Sequence, residues 1–80
     1  MGIVDVLLPQ SGMGMQDGEV IRWVKAVGDQ VVENELIAEV EAAKALVEIG
    51  APCDGELVEI AAQVGDVVEV QGVLGRIKTP

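Results

Sequence analysis

Histidine is missing from the 80-residue sequence, which removes the commonest general base and the commonest metal ligand. No metal centre and no catalytic machinery are therefore expected: no nucleophile stands with a base, and no phosphate-binding glycine motif precedes a helix. Cysteine occurs once, at Cys53, so no internal disulfide can staple the fold, in keeping with a reducing compartment. Basic residues are scarce, 5 against 14 acidic ones, for a formal net charge of -9. A surface of that sign argues against nucleic acid and against anionic membranes as partners, and favours solubility and basic partner sites. No apolar run approaches the length of a membrane span. No leader pattern opens the sequence, and Val6 stands where a myristoylation signal has Ser or Thr. The expected location is the cytoplasm, or the mitochondrial matrix in a eukaryote.

What is abundant is Val and Ile, 15 and 6 of the 80 residues. Branching at Cβ suits these side chains to pleated strands, while Trp23 is the only aromatic residue. The length allows one small domain, residues 1–80. Its organising feature is an internal repeat. Asp17-Gly18-Glu19 returns 37 residues later as Asp54-Gly55-Glu56, Val27-Gly28-Asp29 returns as Val64-Gly65-Asp66, and Val31 matches Val68, all in one register. Two similar halves suggest a sandwich with a quasi-twofold axis, since stacked arrays need three or more repeats.

Strands are expected at Ile3–Leu8, Glu19–Val24, Gln30–Val32, Leu36–Glu41, Ala45–Ile49, Glu56–Ile60, Val67–Val70 and Val73–Ile77, separated by Gly, Asn and Asp turn signals. Eight short strands at this spacing read as an all-β sandwich or flattened barrel. Asp17-Gly18 and Asp54-Gly55 are expected to lead into the second strand of each half. Residues 9–18 form the one long loop, with Met13 and Met15 as candidate contact residues or as plain filling.

Lys44 is the residue that stands out. Between Ala26 and Gly75 there are eleven acidic residues and this one base. If Ala43-Lys44 is a two-residue turn, Val40 faces Val47 and Ala38 faces Ile49 on a buried side, a register consistent with a hairpin. Two local rules then break together. The tip lacks the Gly, Asn or Asp that tight hairpins use, and Glu39 is set opposite Glu48. Such coincident violations mark functional sites. Shifting Lys44 by 37 in either direction reaches Leu7 or passes the last residue, so the tip is expected to relate by symmetry to the termini, at the opposite end of the domain. The plainer alternative is a solubilising lysine on a surface turn.

Val27-Gly28-Asp29, Ile37-Ala38-Glu39-Val40-Glu41, Lys44-Ala45, Val47-Glu48-Ile49 and Gly55 together resemble the lipoyl domains of 2-oxo acid dehydrogenase complexes, from about Val4 to Lys78. Gly28 lies 16 residues before the lysine and Gly55 lies 11 after it, as in that family. The resemblance implies a flattened barrel of two four-stranded antiparallel sheets. It implies lipoic acid joined as an amide to Lys44, with Glu41, Ala43 and Ala45 as recognition residues beside it. The implied partners are a lipoate ligase or lipoyl transferase, a thiamine-diphosphate-dependent decarboxylase, an acyltransferase core and a flavin-dependent dihydrolipoamide dehydrogenase. The role would be that of a non-catalytic swinging arm. One departure is local: the family writes Glu-Thr-Asp-Lys-Ala where this chain has Glu41-Ala42-Ala43-Lys44-Ala45, and loss of the Asp bears on recognition by the decarboxylase.

Two other readings share the same residues. A biotin carrier domain would have the same fold but flanks its lysine with methionines, whereas both flanks here are alanine. An unmodified scaffold or adaptor hairpin would tolerate loss of Lys44. The glycine-cleavage carrier protein, also lipoylated, is longer than this chain. Cys53 reads as a small half-buried apolar residue and Trp23 as a packing anchor.

Overall fold

The computed structural model describes residues 2–10 and 14–80. Among them are eight strands and no helix: β1 Ile3–Leu7, β2 Asp17–Trp23, β3 Gln30–Val31, β4 Leu36–Ala42, β5 Ala45–Gly50, β6 Gly55–Ile60, β7 Val67–Glu69 and β8 Val73–Lys78. They form two four-stranded antiparallel sheets, ordered β1-β8-β6-β3 and β5-β4-β2-β7. This is the all-β, two-sheet architecture expected from the β-branched composition and the spacing of turn signals.

The repeat is a repeat of pairing. Glu19 pairs with Glu41 and with Val67, and 37 residues on Glu56 pairs with Lys78 and with Gln30. Both halves carry an irregularity at the same place, between Val20 and Arg22 in β2 and between Leu57 and Glu59 in β6. The outer strands follow a different offset. Val47 faces Val40 as Val4 faces Ile77, which relates β5 to β1 by 43 residues. The β1–β2 connection is the reason: Leu7 to Asp17 takes ten positions where Gly50 to Asp54 takes four. The symmetry mate of Lys44 is therefore not Leu7, which this offset pairs with Gly50. The pair Ala42↔Ala45 matches Thr79 and Gly2, whose N–H and carbonyl bond at 2.9 Å. The turn of one half thus stands beyond a pair that in the other half is the Thr79–Gly2 pair of the outer strands.

The Val-Gly-Asp turns show why that triplet recurs. Gly28 and Gly65 have φ of 99° and 96°, which Gly adopts without the Cβ clash. The following Asp carboxylate accepts from the N–H of Ala26 in one half and of Gln63 in the other, each at 2.9 Å. The glycine N–H groups then donate into the opposite half, to the carbonyls of Leu57 and Val20, both at 2.7 Å. Each turn therefore clasps the sheet of its partner half.

Asp54-Gly55 lead into β6 as expected, with Asp54 in the preceding bend, whereas Asp17-Gly18 differ from the expectation. Asp17 and Gly18 already belong to β2, paired with Glu69 and Val68, and Gly55 opens β6 paired with Val31. Close approach is the cause. A Cβ on Gly18 would run into Val40 and one on Gly55 would run into the Lys78 carbonyl and Ile77. Only glycine lets the strands come this near.

Side chains from both sheets fill the space between them, with Val20, Ile37, Val40, Leu57, Leu74 and Ile77 fully buried and no buried polar side chain among the described residues. Trp23 packs on this core half-buried and donates its indole N–H to the Ala62 carbonyl at 2.7 Å, and Cys53 sits half-buried beside it. Both take the packing roles read from the sequence. Gly55→Ala is expected to destabilise the fold by more than about 2 kcal/mol, because strand backbone must move. Gly28→Ala meets nothing within 4 Å and should lose only about 1 kcal/mol to left-handed strain. Urea unfolding of the two variants checks this, and equal losses would remove the close-approach explanation.

Candidate modification site

β4 and β5 form the hairpin that carries Lys44. The observed pairs Ala38↔Ile49, Glu39↔Glu48, Val40↔Val47, Glu41↔Leu46 and Ala42↔Ala45 are the register expected from the alternation. Ala38, Val40, Val47 and Ile49 point inward and are buried. That leaves two residues for the turn, and both have positive φ, 51° at Ala43 and 64° at Lys44. This is the signature of a type I′ turn, whose sense of twist matches the strands it joins. Neither residue is the Gly or Asn such a turn prefers, so the backbone around the lysine is strained, by about 1–2 kcal/mol per residue.

The like-charge pair flagged in the sequence is relieved from the next strand. Arg22 on β2 lies beside Glu39 and bonds it at 2.9 Å, leaving Glu48 on the edge strand exposed. In the other half the same row reads Glu59, Arg76, Asp5, with Arg76 bridging both acids at 2.8 and 3.1 Å. The Glu59 carboxylate, with Asp5 second, pushes the Arg76 pKa up further. Lys25 bonds Glu35 at 3.0 Å and, together with the Val32 N–H, holds the Glu35 carboxyl below the usual range. Three of the five bases are thus engaged. Among the described residues, no ion pair includes Lys44 or Lys78, and these two are held at opposite poles of a body 36 Å long.

Two hollows flank the tip. One, of about 350 Å³, lies on the outer face of the β5-β4-β2-β7 sheet and is acidic: Asp17, Glu19 and Glu41 line it with Lys44 and the exposed Val67. Its counterpart at the other pole is lined by Gln30, Gly55, Glu56, Lys78, Thr79 and Pro80, where Lys78 takes the place of Glu41. The second hollow by the tip, about 570 Å³, runs along the open edge of β5 from Ala45 to Glu48 and is walled by Pro9 and Met15.

Of the residues singled out in the sequence, Glu41, Ala43, Lys44 and Ala45 are all exposed around the turn. Met15 is 6 % exposed and belongs to the core beneath the hairpin, so it supports the site rather than offering itself as an exposed contact. Met13 lies outside the described residues. The sequence reading missed Leu46, 53 % exposed, and Val67, 65 % exposed, which give the tip an apolar rim on each side. The available signal was an apolar residue at an outward position of the alternation. Among the described residues no three potential metal ligands gather. What the tip offers chemically is a primary amine on a projecting turn, in no ion pair among the described residues.

A family model described as "Biotin-requiring enzyme", covering biotin and lipoyl attachment, matches residues 4–77. The solution structure of the lipoyl domain of the 2-oxoglutarate dehydrogenase complex from Azotobacter vinelandii superposes with a TM-score of 0.75 at 33% identity, covering 94% of this chain and 95% of that one. The chain is 32% identical over 77 residues to the dihydrolipoyllysine-residue succinyltransferase component of the 2-oxoglutarate dehydrogenase complex of Buchnera aphidicola. It is 41% identical over 73 residues to the dihydrolipoyllysine-residue acetyltransferase component of the pyruvate dehydrogenase complex of Corynebacterium glutamicum. These stretches are 96% and 91% of this chain but only 20% and 11% of those proteins, so the chain spans at most a fifth of the curated relatives it matches. A two-sheet β fold with quasi-twofold pairing, matched over nearly its whole length, places this chain in the biotin and lipoyl attachment family, as a lipoyl domain of the 2-oxo acid dehydrogenase type.

Proposed function

We propose that Lys44 carries lipoic acid in amide linkage and that the domain moves acyl groups and electrons between the active sites of a 2-oxo acid dehydrogenase complex. The observation that carries this is the projecting turn itself. It holds an exposed amine, unpaired among the described residues, at one pole of a member of a family defined by attachment to a lysine. The residues present fit the group. Ala43 and Ala45 on either side are small and exposed, so an attaching enzyme can reach the amine without displacing a bulky neighbour. Acylation of the amine releases its proton and removes its charge, taking the formal net charge from -9 to -10.

The attached dithiolane supplies a disulfide that is reduced as an acyl group is taken up and restored when the resulting dithiol is reoxidised. The domain's contribution is positional. Gly2, Thr79 and Pro80 lie at the pole opposite Lys44, so the arm faces outward from a tether attached there. Tethering turns each encounter with a partner site into an intramolecular one, with effective concentrations of about millimolar for short flexible links. A decarboxylase, an acyltransferase core and a flavin-dependent dehydrogenase are the partners this cycle requires, and a lipoate ligase or lipoyl transferase must load the arm. The acidic residues Asp17, Glu19 and Glu41 beside the amine favour partners with basic rims.

Intact-mass measurement after exposure to lipoate ligase should show one lipoyl-sized gain that is lost in Lys44→Arg. A biotin-sized gain with biotin ligase instead would transfer the domain to the carboxylase carriers, and no gain with either would leave a scaffold. Ala43→Asp should raise stability by about 0.5–1 kcal/mol in urea unfolding, because Asp tolerates the left-handed turn better than Ala. The same variant should leave attachment intact and speed reductive acylation by a 2-oxo acid decarboxylase. An unchanged acylation rate would separate the missing Asp from recognition.

A further inference from the structure

The hollow along β5 has features that a passive surface groove beside a lysine does not need. It begins at the turn, since Ala42, Ala43 and Ala45 are in its lining, and it continues past Leu46 and Val47 to Glu48. Four successive residues of an extended strand span roughly 13 Å. A lysine side chain with a lipoyl group attached reaches roughly 14 Å from its Cα when extended, by ordinary bond lengths. The far wall is Pro9 with the buried Met15 beneath, so next to the turn the surface offered is a proline ring, alanine methyls and the exposed Leu46, and the exposed Glu48 closes the far end. β5 is also an edge strand, with backbone groups on its outer side that no neighbouring strand pairs among the described residues.

We infer that the oxidised arm on Lys44 rests in this hollow when no partner engages it, its methylenes and ring on Leu46, Met15 and Pro9 and its amide beside the open edge of β5. The inference rests on the proposed attachment at Lys44. The occupant is the arm rather than a foreign peptide because the hollow is continuous with the turn, matches the arm in length and is apolar from the turn to Val47. Its tether gives it an effective concentration that a free peptide lacks. Two alanines before the lysine contribute to this: Ala42 and Ala43 end in methyl groups, so the entrance presents no side-chain polar group that would have to be desolvated. The acidic hollow on the other side of the hairpin, with Asp17, Glu19 and Glu41, makes a poorer rest for an apolar chain.

Methyl-labelled domain with and without the enzymatically attached lipoyl group, each checked by intact mass, tests this by NMR. The expected result is shift changes at the Leu46, Val47, Met15 and Ala45 methyls, with through-space contacts from the arm, while Val67 across the hairpin is unmoved. Leu46→Glu, at a position already exposed, should abolish the contacts and raise the rate at which a water-soluble phosphine reduces the arm by at least about twofold. A mass gain with shifts confined to the turn, or centred on Val67, overturns the resting site and leaves the carrier role intact. Absence of the mass gain overturns the carrier role and this inference together.

Discussion

The strained turn that displays Lys44 is imposed by the side chains below it. Val40, Val47 and Ile49 must face the core, and a one-residue slip of β5 against β4 would send Val47 and Ile49 to solvent and bring Glu48 inside. Burying these two side chains contributes about 3–6 kcal/mol, taken as an upper range because the unfolded chain already hides part of their surface. Two non-glycine residues at positive φ cost about 2–4 kcal/mol. Burial wins, so the loop is held at two residues even though Ala43 and Lys44 are poor choices for it. The amine is therefore fixed on a rigid bend rather than carried on a slack loop.

Electrostatics follows from the same register. The pairing places Arg22 beside Glu39, and one guanidinium bond offsets the repulsion that Glu48 would otherwise impose from the edge strand. In the other half the base stands in the middle of its row and serves two acids, Asp5 and Glu59. These exposed bonds are each weak contributors to stability. Their larger effect is on where free charge remains. With Arg22, Lys25 and Arg76 committed, the positive charge at the hairpin pole is that of Lys44, set against Asp17, Glu19 and Glu41.

Much of this was legible in the residues. Alternation gave the register of the lysine hairpin pair by pair, because a period of two admits only one arrangement that buries Val40, Val47 and Ile49 together. The matched Val-Gly-Asp triplets disclosed the two halves, since the turn chemistry demands the same Gly and Asp in each. Other features depend on contacts that one-dimensional spacing does not record. Gly18 and Gly55 look like turn residues, and only the nearness of Val40 and of the Lys78 carbonyl shows them to be points of close strand approach. Arg22 as the partner of Glu39 required knowing that β2, not another strand, lies beside β4. The longer β1–β2 connection moved the symmetry mate of Lys44 away from Leu7, because a constant offset cannot hold across an insertion.

That displaced symmetry has a structural consequence for presentation. Ala42 and Ala45 occupy in one half the positions that Thr79 and Gly2 occupy in the other, so the two poles share a backbone framework and differ in whether it is closed by a turn. Closure yields a short projecting bend with both flanking strands clamped into a sheet. The poles differ in charge as well, with Glu41 at one matched by Lys78 at the other. The two ends of this nearly symmetric body therefore differ in the presence of the bend and in the sign of the charge beside it, the first set by the hairpin of β4 and β5 and the second by Glu41 and Lys78.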